Sequence, residues 1–201
     1  MAEPFRVALI GGTSHVGKST TAQALAARLR WACASTDRMG RHPGRPWSTA
    51  TFTLPDHVVE HYRSLTPEAL TEAQLAHYRN LWPLVRERIE AHAAEGAEPL
   101  VLEGSGVSPG PVAALGVGGV RAVWLTAAPA LIEARVRRES GYGAAAPDAQ
   151  SIIDKFIRRS RLFDAAVIGE ARRLGLPRVV VTEAMSEVEV LDACLAALRA
   201  G

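Results

Sequence analysis

The chain has 201 residues, of which 48% are hydrophobic and 22% charged, and a formal net charge of +2. That balance suits one ordinary globular unit and excludes a disordered segment, a disulfide scaffold or a broad basic surface for nucleic acid. Cys33 and Cys194 stand far apart and outside any Cys-x-x-Cys pair, so we expect two buried thiols in a reducing cytosol.

In chain order, the apolar run at residues 7–10 reads as a strand buried on both faces. No basic leader precedes it, and the run is too short to cross a bilayer, so we expect a cytoplasmic protein with neither signal peptide nor membrane span. Ala22, Leu25, Ala26 and Leu29 then recur at helical spacing, and a short second strand is expected at Ala32–Ser35. Residues 53–96 carry about three helical pieces and no strand, punctuated by Thr66-Pro67 and Trp82-Pro83. This predicts a helical insertion after the second strand. Residues 99–104 and Val120–Ala127 read as stronger strands, separated by a glycine-rich stretch that we expect to be a mobile loop. A helix is predicted over Pro129–Glu139, opened by a proline tolerated in a first turn. A pliable stretch over 138–150 leads to another helix, over 148–174, which ends at Gly175 before Pro177. Residues 177–182 make a fifth strand. Ser186 and Glu189 then have capping-box spacing, and Leu191, Cys194, Leu195 and Leu198 line one face of the last helix. Strands alternating with helices predict an α/β fold, a parallel sheet of about five strands with helices on both faces.

The chemistry begins at Gly12-Thr13-Ser14-His15-Val16-Gly17-Lys18-Ser19, which satisfies G-x-x-x-x-G-K-[ST] with a strand before it and a helix after it. Glycines let backbone amides turn inward around phosphate oxygens, and the helix N-terminus adds the positive end of its dipole. Lys18 reaches the outer phosphates and the Ser19 hydroxyl ligates magnesium, so these residues with Thr20 form the expected site for a nucleoside triphosphate. His15 occupies a position that often carries a small residue in such loops. We expect it to be an exposed bystander, with an approach to substrate as the alternative reading.

Together with "STDRMGRHPGRPW" after the second strand and "LVLEG" at the third, this loop makes the chain resemble the small P-loop kinases of the nucleoside-monophosphate-kinase-like group. Within it the chain looks most like the branch of zeta toxins, chloramphenicol phosphotransferase, gluconate kinase, shikimate kinase and 2-phosphoglycerate kinase. The resemblance in element order covers nearly the whole chain, and its specific part is the phosphate loop. It implies a three-layer P-loop NTPase fold over 1–201, with the 53–96 insertion on the substrate side, a lid over 138–150, and use of ATP and magnesium. It also implies that Asp37 contacts the acceptor hydroxyl, often as general base. Strand position argues the same way, since the carboxyl ends of parallel strands surround the phosphate loop. A helix cap or salt bridge is the other reading of Asp37. Glu103 ends a hydrophobic strand where such proteins place a carboxylate that meets magnesium through water, though orienting substrate or capping the next loop fits it as well.

Similar kinases close a lid whose arginines neutralise the transferring phosphoryl group. Arg135 and Arg138 are three apart, as are Arg158 and Arg161, so each pair shares a helix face and is expected at the site in preference to Arg137 and Arg159. The acid-free run of Arg38, Arg41 and Arg45 favours an anionic acceptor. Trp47, Phe52, Tyr62 and Trp82 would instead stack a ring, with core packing as the equal alternative for all four. The reading is thus an ATP-dependent phosphotransferase acting on a small hydroxyl-bearing molecule, with no nucleic-acid or membrane partner. Two other readings compete. A phosphate loop also serves a nucleotide-dependent switch or ATPase that acts with a protein, although the Asn-Lys-x-Asp guanine signature is missing. His57, Glu60 and His61 match the H-x-x-E-H of one class of zinc peptidase, against which stands a plain solvated helix.

Overall fold

The computed structural model of the chain describes residues 5–40, 44–49 and 52–200. The elements run β1 (Val7–Gly12), α1 (Lys18–Leu29), β2 (Ala32–Ser35), α2 (Asp56–Ser64), α3 (Pro67–Ala93) and β3 (Leu100–Glu103). They continue with α4 (Pro109–Ala113), β4 (Val120–Ala127), α5 (Pro129–Glu139), α6 (Pro147–Arg173), β5 (Arg178–Val181) and α7 (Glu187–Ala200). Among the described residues the strands form one five-stranded sheet in the order β2-β3-β1-β4-β5, and every pairing is parallel. This is the three-layer P-loop NTPase architecture.

Strand alternation sorts the core into two clusters, one on each face of the sheet. Ala8, Ile10, Val123 and Leu125 pack with Leu25 of α1, Ile132 and Val136 of α5, and Cys194 and Leu198 of α7. Val7, Leu9 and Trp124 point the other way, onto Leu81, Val85 and Ile89 of α3 and Phe163 and Val167 of α6. The capping box at Ser186 opens α7: Glu189 N–H donates to Ser186 Oγ (3.3 Å) and Ser186 N–H donates to the Glu189 carboxylate (2.8 Å).

Three expectations need correction. The insertion holds two helices rather than about three pieces, because α3 continues through Pro83. Leu81, Val85 and Ile89 recur four apart across the proline and bury one continuous stripe. Pro83 and Arg79, whose carbonyl loses its helical donor, both lie on the exposed side, open to solvent. The glycine-rich stretch after β3 is not a free loop: residues 104–107 are buried and α4 follows. Cys33 is exposed, and only Cys194 is buried.

Register brings the chemistry to one edge. Ile10 is level with Glu103, and Glu103 with Ser35, so the carboxyl ends of β1, β3 and β2 line up beside the phosphate loop. Gly104, just past Glu103, has φ +141, and a Cβ there would overlap Thr36 Oγ1. That hydroxyl already accepts the Gly106 N–H at 3.2 Å. Gly104→Ala is therefore expected to cost about 2 kcal/mol or more of stability, read as a lower urea midpoint with unchanged slope. An unchanged midpoint would show that the Thr36 turn yields freely.

Candidate active site

The phosphate loop closes between β1 and α1 with Gly12 at φ 132 and Gly17 at φ 96, conformations that a side chain disfavours. At Gly12 a Cβ would also run into the Leu125 carbonyl oxygen of the neighbouring strand. Val16 is buried, Ser14 is half-buried, and the Thr13 hydroxyl donates to the Ser160 carbonyl at 3.1 Å, fastening the loop to α6. Lys18 opens α1 and folds back to donate from Nζ to the Thr13 carbonyl at 2.7 Å. Burial pushes its pKa down, and the carboxylates of Asp37, Glu103 and Asp164 partly restore it. Asp164 is absent from the expected set. It accepts from the Thr126 hydroxyl at 2.8 Å, and burial raises its pKa.

Ser19 and Thr20, consecutive on α1, face different cavities. Thr20 lines one of about 520 Å³ with His15, Gly17, Arg135, Arg138 and Met185. Ser19 lines another, of about 560 Å³, with Asp37, Arg38, Arg88 and Glu103. Asp37 sits in a 3-10 turn (Thr36–Arg38) whose cap is Ser35, which accepts the Asp37 N–H at 3.3 Å, so Asp37 is not itself the cap. Its carboxylate is exposed, whereas Glu103 is buried with Oε2 lacking any hydrogen-bond partner among the described residues. Arg88 is absent from the expected set, although its helix spacing carries a signal. Neighbouring Arg86 pairs with Glu90 at i+4 (2.7 Å), but Arg88 has Leu84 and His92 at its i±4 positions and so no acid to hold it on the helix surface.

His15 is not an exposed bystander. Its backbone is left-handed, φ 64, and its side chain is only 4% exposed. The ring centroid lies 5.8 Å from those of both Trp47 and Phe156. Nε2 approaches a Glu139 carboxylate oxygen to 3.1 Å, without the alignment of a hydrogen bond. Burial first, then the charges of Arg45, Lys18, Arg159 and Arg135, pull its pKa from 6.5 to about 3. Because the folded value lies below the unfolded one, the unfolded chain binds the extra proton between the two, and stability falls as pH drops through that window. A His15→Gln variant is expected to lose about 2 kcal/mol less than wild type between about pH 7 and about pH 5. Denaturant titrations at both pH values check this, and equal losses would remove His15 from the acid response.

The arginines of α5 and α6 divide differently from the expectation. Arg135 faces the loop, donating to the His15 carbonyl at 2.9 Å, and Arg138 lines the cavity beside it. Arg158 and Arg161 do share a face, but it is the outward one: both are exposed, and Arg161 pairs with Glu133. Arg159 is the buried arginine, at 8% exposure. It is hydrogen-bonded to Gln74 and stacked over Phe156 at 4.4 Å. Spacing of three identifies residues on a common face, whereas the apolar residues Ile152, Phe156 and Phe163 of the same helix decide which face turns inward. Arg137 is held away from the site by Glu133 (2.9 Å), Asp154 (3.1 Å) and the Tyr142 ring (3.9 Å). The stretch between α5 and α6 is well tied, with the Tyr142 hydroxyl donating to Asp154 at 2.9 Å and Gln150 donating to the Tyr142 carbonyl at 2.9 Å.

Of the basic run, Arg38 lines the carboxylate cavity, Arg45 is paired with Glu139, and Arg41 lies outside the described residues. His57, Glu60 and His61 do lie on one helix, α2, yet the described residues contain no group of three or more His, Cys, Asp or Glu able to hold a metal. Glu60 instead sits 3.5 Å from Arg63. No described helix is long and apolar enough to cross a membrane.

No protein-family model and no curated protein matches the sequence. Solved structures match it over nearly its whole length. A gluconokinase from Sinorhizobium meliloti 1021 is similar at 18% identity with a TM-score of 0.56, covering 98% of this chain and 93% of its own. A sugar kinase from Janibacter sp. HTCC2649 matches at 17% identity and 0.56, covering 97% and 95%. A shikimate kinase from Bacteroides thetaiotaomicron matches at 14% and 0.51, covering 94% of each chain. At such identities the likeness is one of fold, and the fold of this chain is that of the P-loop small-molecule kinases.

Proposed function

We propose that the protein transfers the γ-phosphoryl group of ATP to a hydroxyl of a small molecule. The observation that carries this reading is the juxtaposition at one sheet edge of a phosphate loop with its buried lysine and the two carboxylates Asp37 and Glu103. In this reading the loop amides and Lys18 hold the β- and γ-phosphates, while Arg135 and Arg138 meet the charge that spreads over the transferring group. Asp37 takes the acceptor's hydroxyl proton as the oxygen attacks phosphorus. The new oxygen–phosphorus bond replaces the bond to the β-phosphate oxygen, and ADP leaves.

The buried, unpartnered Oε2 of Glu103 fits a cation or its bound water, and Ser19 lines the same cavity. These two residues would hold magnesium. Bound there, it would offset negative charge on the β- and γ-oxygens. The fold of the gluconokinase, sugar kinase and shikimate kinase structures supports an acceptor that is a small molecule.

The test is incubation with magnesium ATP and a fractionated metabolite pool, following new phosphorylated masses against a Lys18→Ala control. A new phosphorylated small molecule, present only with wild type, supports the reading. ATP hydrolysis that needs a second protein and yields no such product would favour a nucleotide-dependent switch instead.

A further inference from the structure

Arg159 carries a buried positive charge that no carboxylate meets. None of the ion pairs among the described residues includes it. Residues 41–43 and 50–51, which lie outside the described set, are Arg, His, Pro, Ala and Thr and bring no carboxylate. What holds the guanidinium is neutral: the side-chain amide of Gln74 and the face of Phe156. An amide and a ring face offset only part of the cost of taking a guanidinium out of water, so a charge kept in this way opposes folding. Gln74 takes Nη1, which leaves Nε without a partner on the edge of the fork that meets two oxygens of a carboxylate or phosphate.

The fold sets this charge on the acceptor side of the site. The Arg159 carbonyl accepts from the Thr71 hydroxyl of α3 at 3.4 Å, and the next carbonyl, of Ser160, accepts from the Thr13 hydroxyl of the phosphate loop at 3.1 Å. Residue 159 is therefore fixed in the seam between the loop and the helical insertion. From Gln74 the contacts run on toward the reacting hydroxyl. The Gln74 amide donates to the Tyr78 hydroxyl at 3.2 Å, and Tyr78 is close enough to Asp37 for that carboxylate, after burial, to raise its pKa. The Phe156 ring under the guanidinium meets Trp47 at a centroid distance of 4.9 Å, and Trp47 lines a cavity of about 500 Å³ that also holds Asp37. The cavity of Gly17 and Thr20 takes its arginines from α5 instead, Arg135 and Arg138.

We infer that Arg159 receives an anionic group of the phosphoryl acceptor, a carboxylate or phosphate carried in addition to the hydroxyl that meets Asp37, and so selects an acidic acceptor. The inference deepens the kinase reading and rests on it for the role of Asp37. It keeps the anionic acceptor expected from the run of Arg38, Arg41 and Arg45 and moves its recognition to a residue of α6.

The test divides the metabolite pool on an anion-exchange resin and offers each fraction, with magnesium ATP, to wild type, Lys18→Ala, Arg159→Gln and Arg159→Lys. Lys18-dependent product is expected from the retained, anionic fraction alone. With that fraction, Arg159→Gln is expected to need a roughly tenfold or higher acceptor concentration for half-maximal rate, and Arg159→Lys an intermediate one, because losing a charge-assisted contact weakens ground-state binding. Calorimetric affinities for magnesium ADP and magnesium β,γ-imido-ATP are expected to stay at wild-type values. The thermal midpoint of Arg159→Gln is expected to be level or higher, since an uncompensated buried charge has gone. Product from the uncharged fraction would overturn the inference and keep the kinase. Weaker binding of the imido-ATP at unchanged affinity for ADP would move Arg159 to the γ-phosphate and overturn it as well. So would a lowered midpoint with unchanged acceptor dependence, the mark of an arginine that serves the scaffold. Failure of the kinase reading shows separately, as no Lys18-dependent product from either fraction.

Discussion

Replacing Lys18 by alanine is expected to abolish phosphoryl transfer, by on the order of a thousandfold or more, and to leave the fold standing. The ammonium is buried, and burial opposes its charge. Among the described residues its one hydrogen bond is to the Thr13 carbonyl of the loop itself, at 2.7 Å. A charge kept in that position costs folding free energy rather than supplying it, so its removal is expected to leave the melting temperature level or higher. The pair of measurements is transfer from labelled ATP and the thermal midpoint of the same preparation. Turnover like that of wild type would remove the phosphate-loop mechanism, and a large drop in midpoint would assign Lys18 to the scaffold instead.

Asp37→Asn is expected to lower transfer by roughly a hundredfold or more while sparing ATP binding, the effect of losing a general base. The side chain is exposed, and the local turn is capped by Ser35 rather than by Asp37, so the substitution leaves the backbone its support. Glu103 is the competing carboxylate, and two readouts separate them. Loss of the base lowers kcat at saturating magnesium with unchanged magnesium dependence. Glu103→Gln, at a buried carboxylate beside Ser19, is expected to raise the magnesium concentration needed for half-maximal rate. If Asp37→Asn turns over normally and Glu103→Gln loses turnover even at saturating magnesium, the two roles exchange.

The left-handed His15 illustrates how the site stores constraint. A non-glycine residue at φ 64 is held there by packing against Trp47 and Phe156. The same ring approaches the end of α5 at Glu139, which also holds Arg45. One loop residue thereby joins the phosphate loop, the end of α5 and the segment before α2.

What the sequence alone determined is whatever the chain encodes locally. The phosphate loop is contiguous, and its glycines, lysine and serine carry their meaning at fixed spacing. The strands at Ala32–Ser35 and Val120–Ala127 and the helix at Pro129–Glu139 begin and end where pattern and punctuation put them. The two-faced burial of residues 7–10 was legible because an uninterrupted apolar run has no polar face to turn outward. Periodicity likewise told which residues share a helix face, as with Arg158 and Arg161. It carries no information on what that face meets. Tertiary structure alone decided that Arg159 turns inward, that α3 runs through Pro83, and that His15 is buried. It alone decided that Arg45 spends its charge on Glu139, 94 residues away. Each of these depends on a partner brought up by the fold across a long loop of chain, and the free energy of that meeting is written in neither segment by itself.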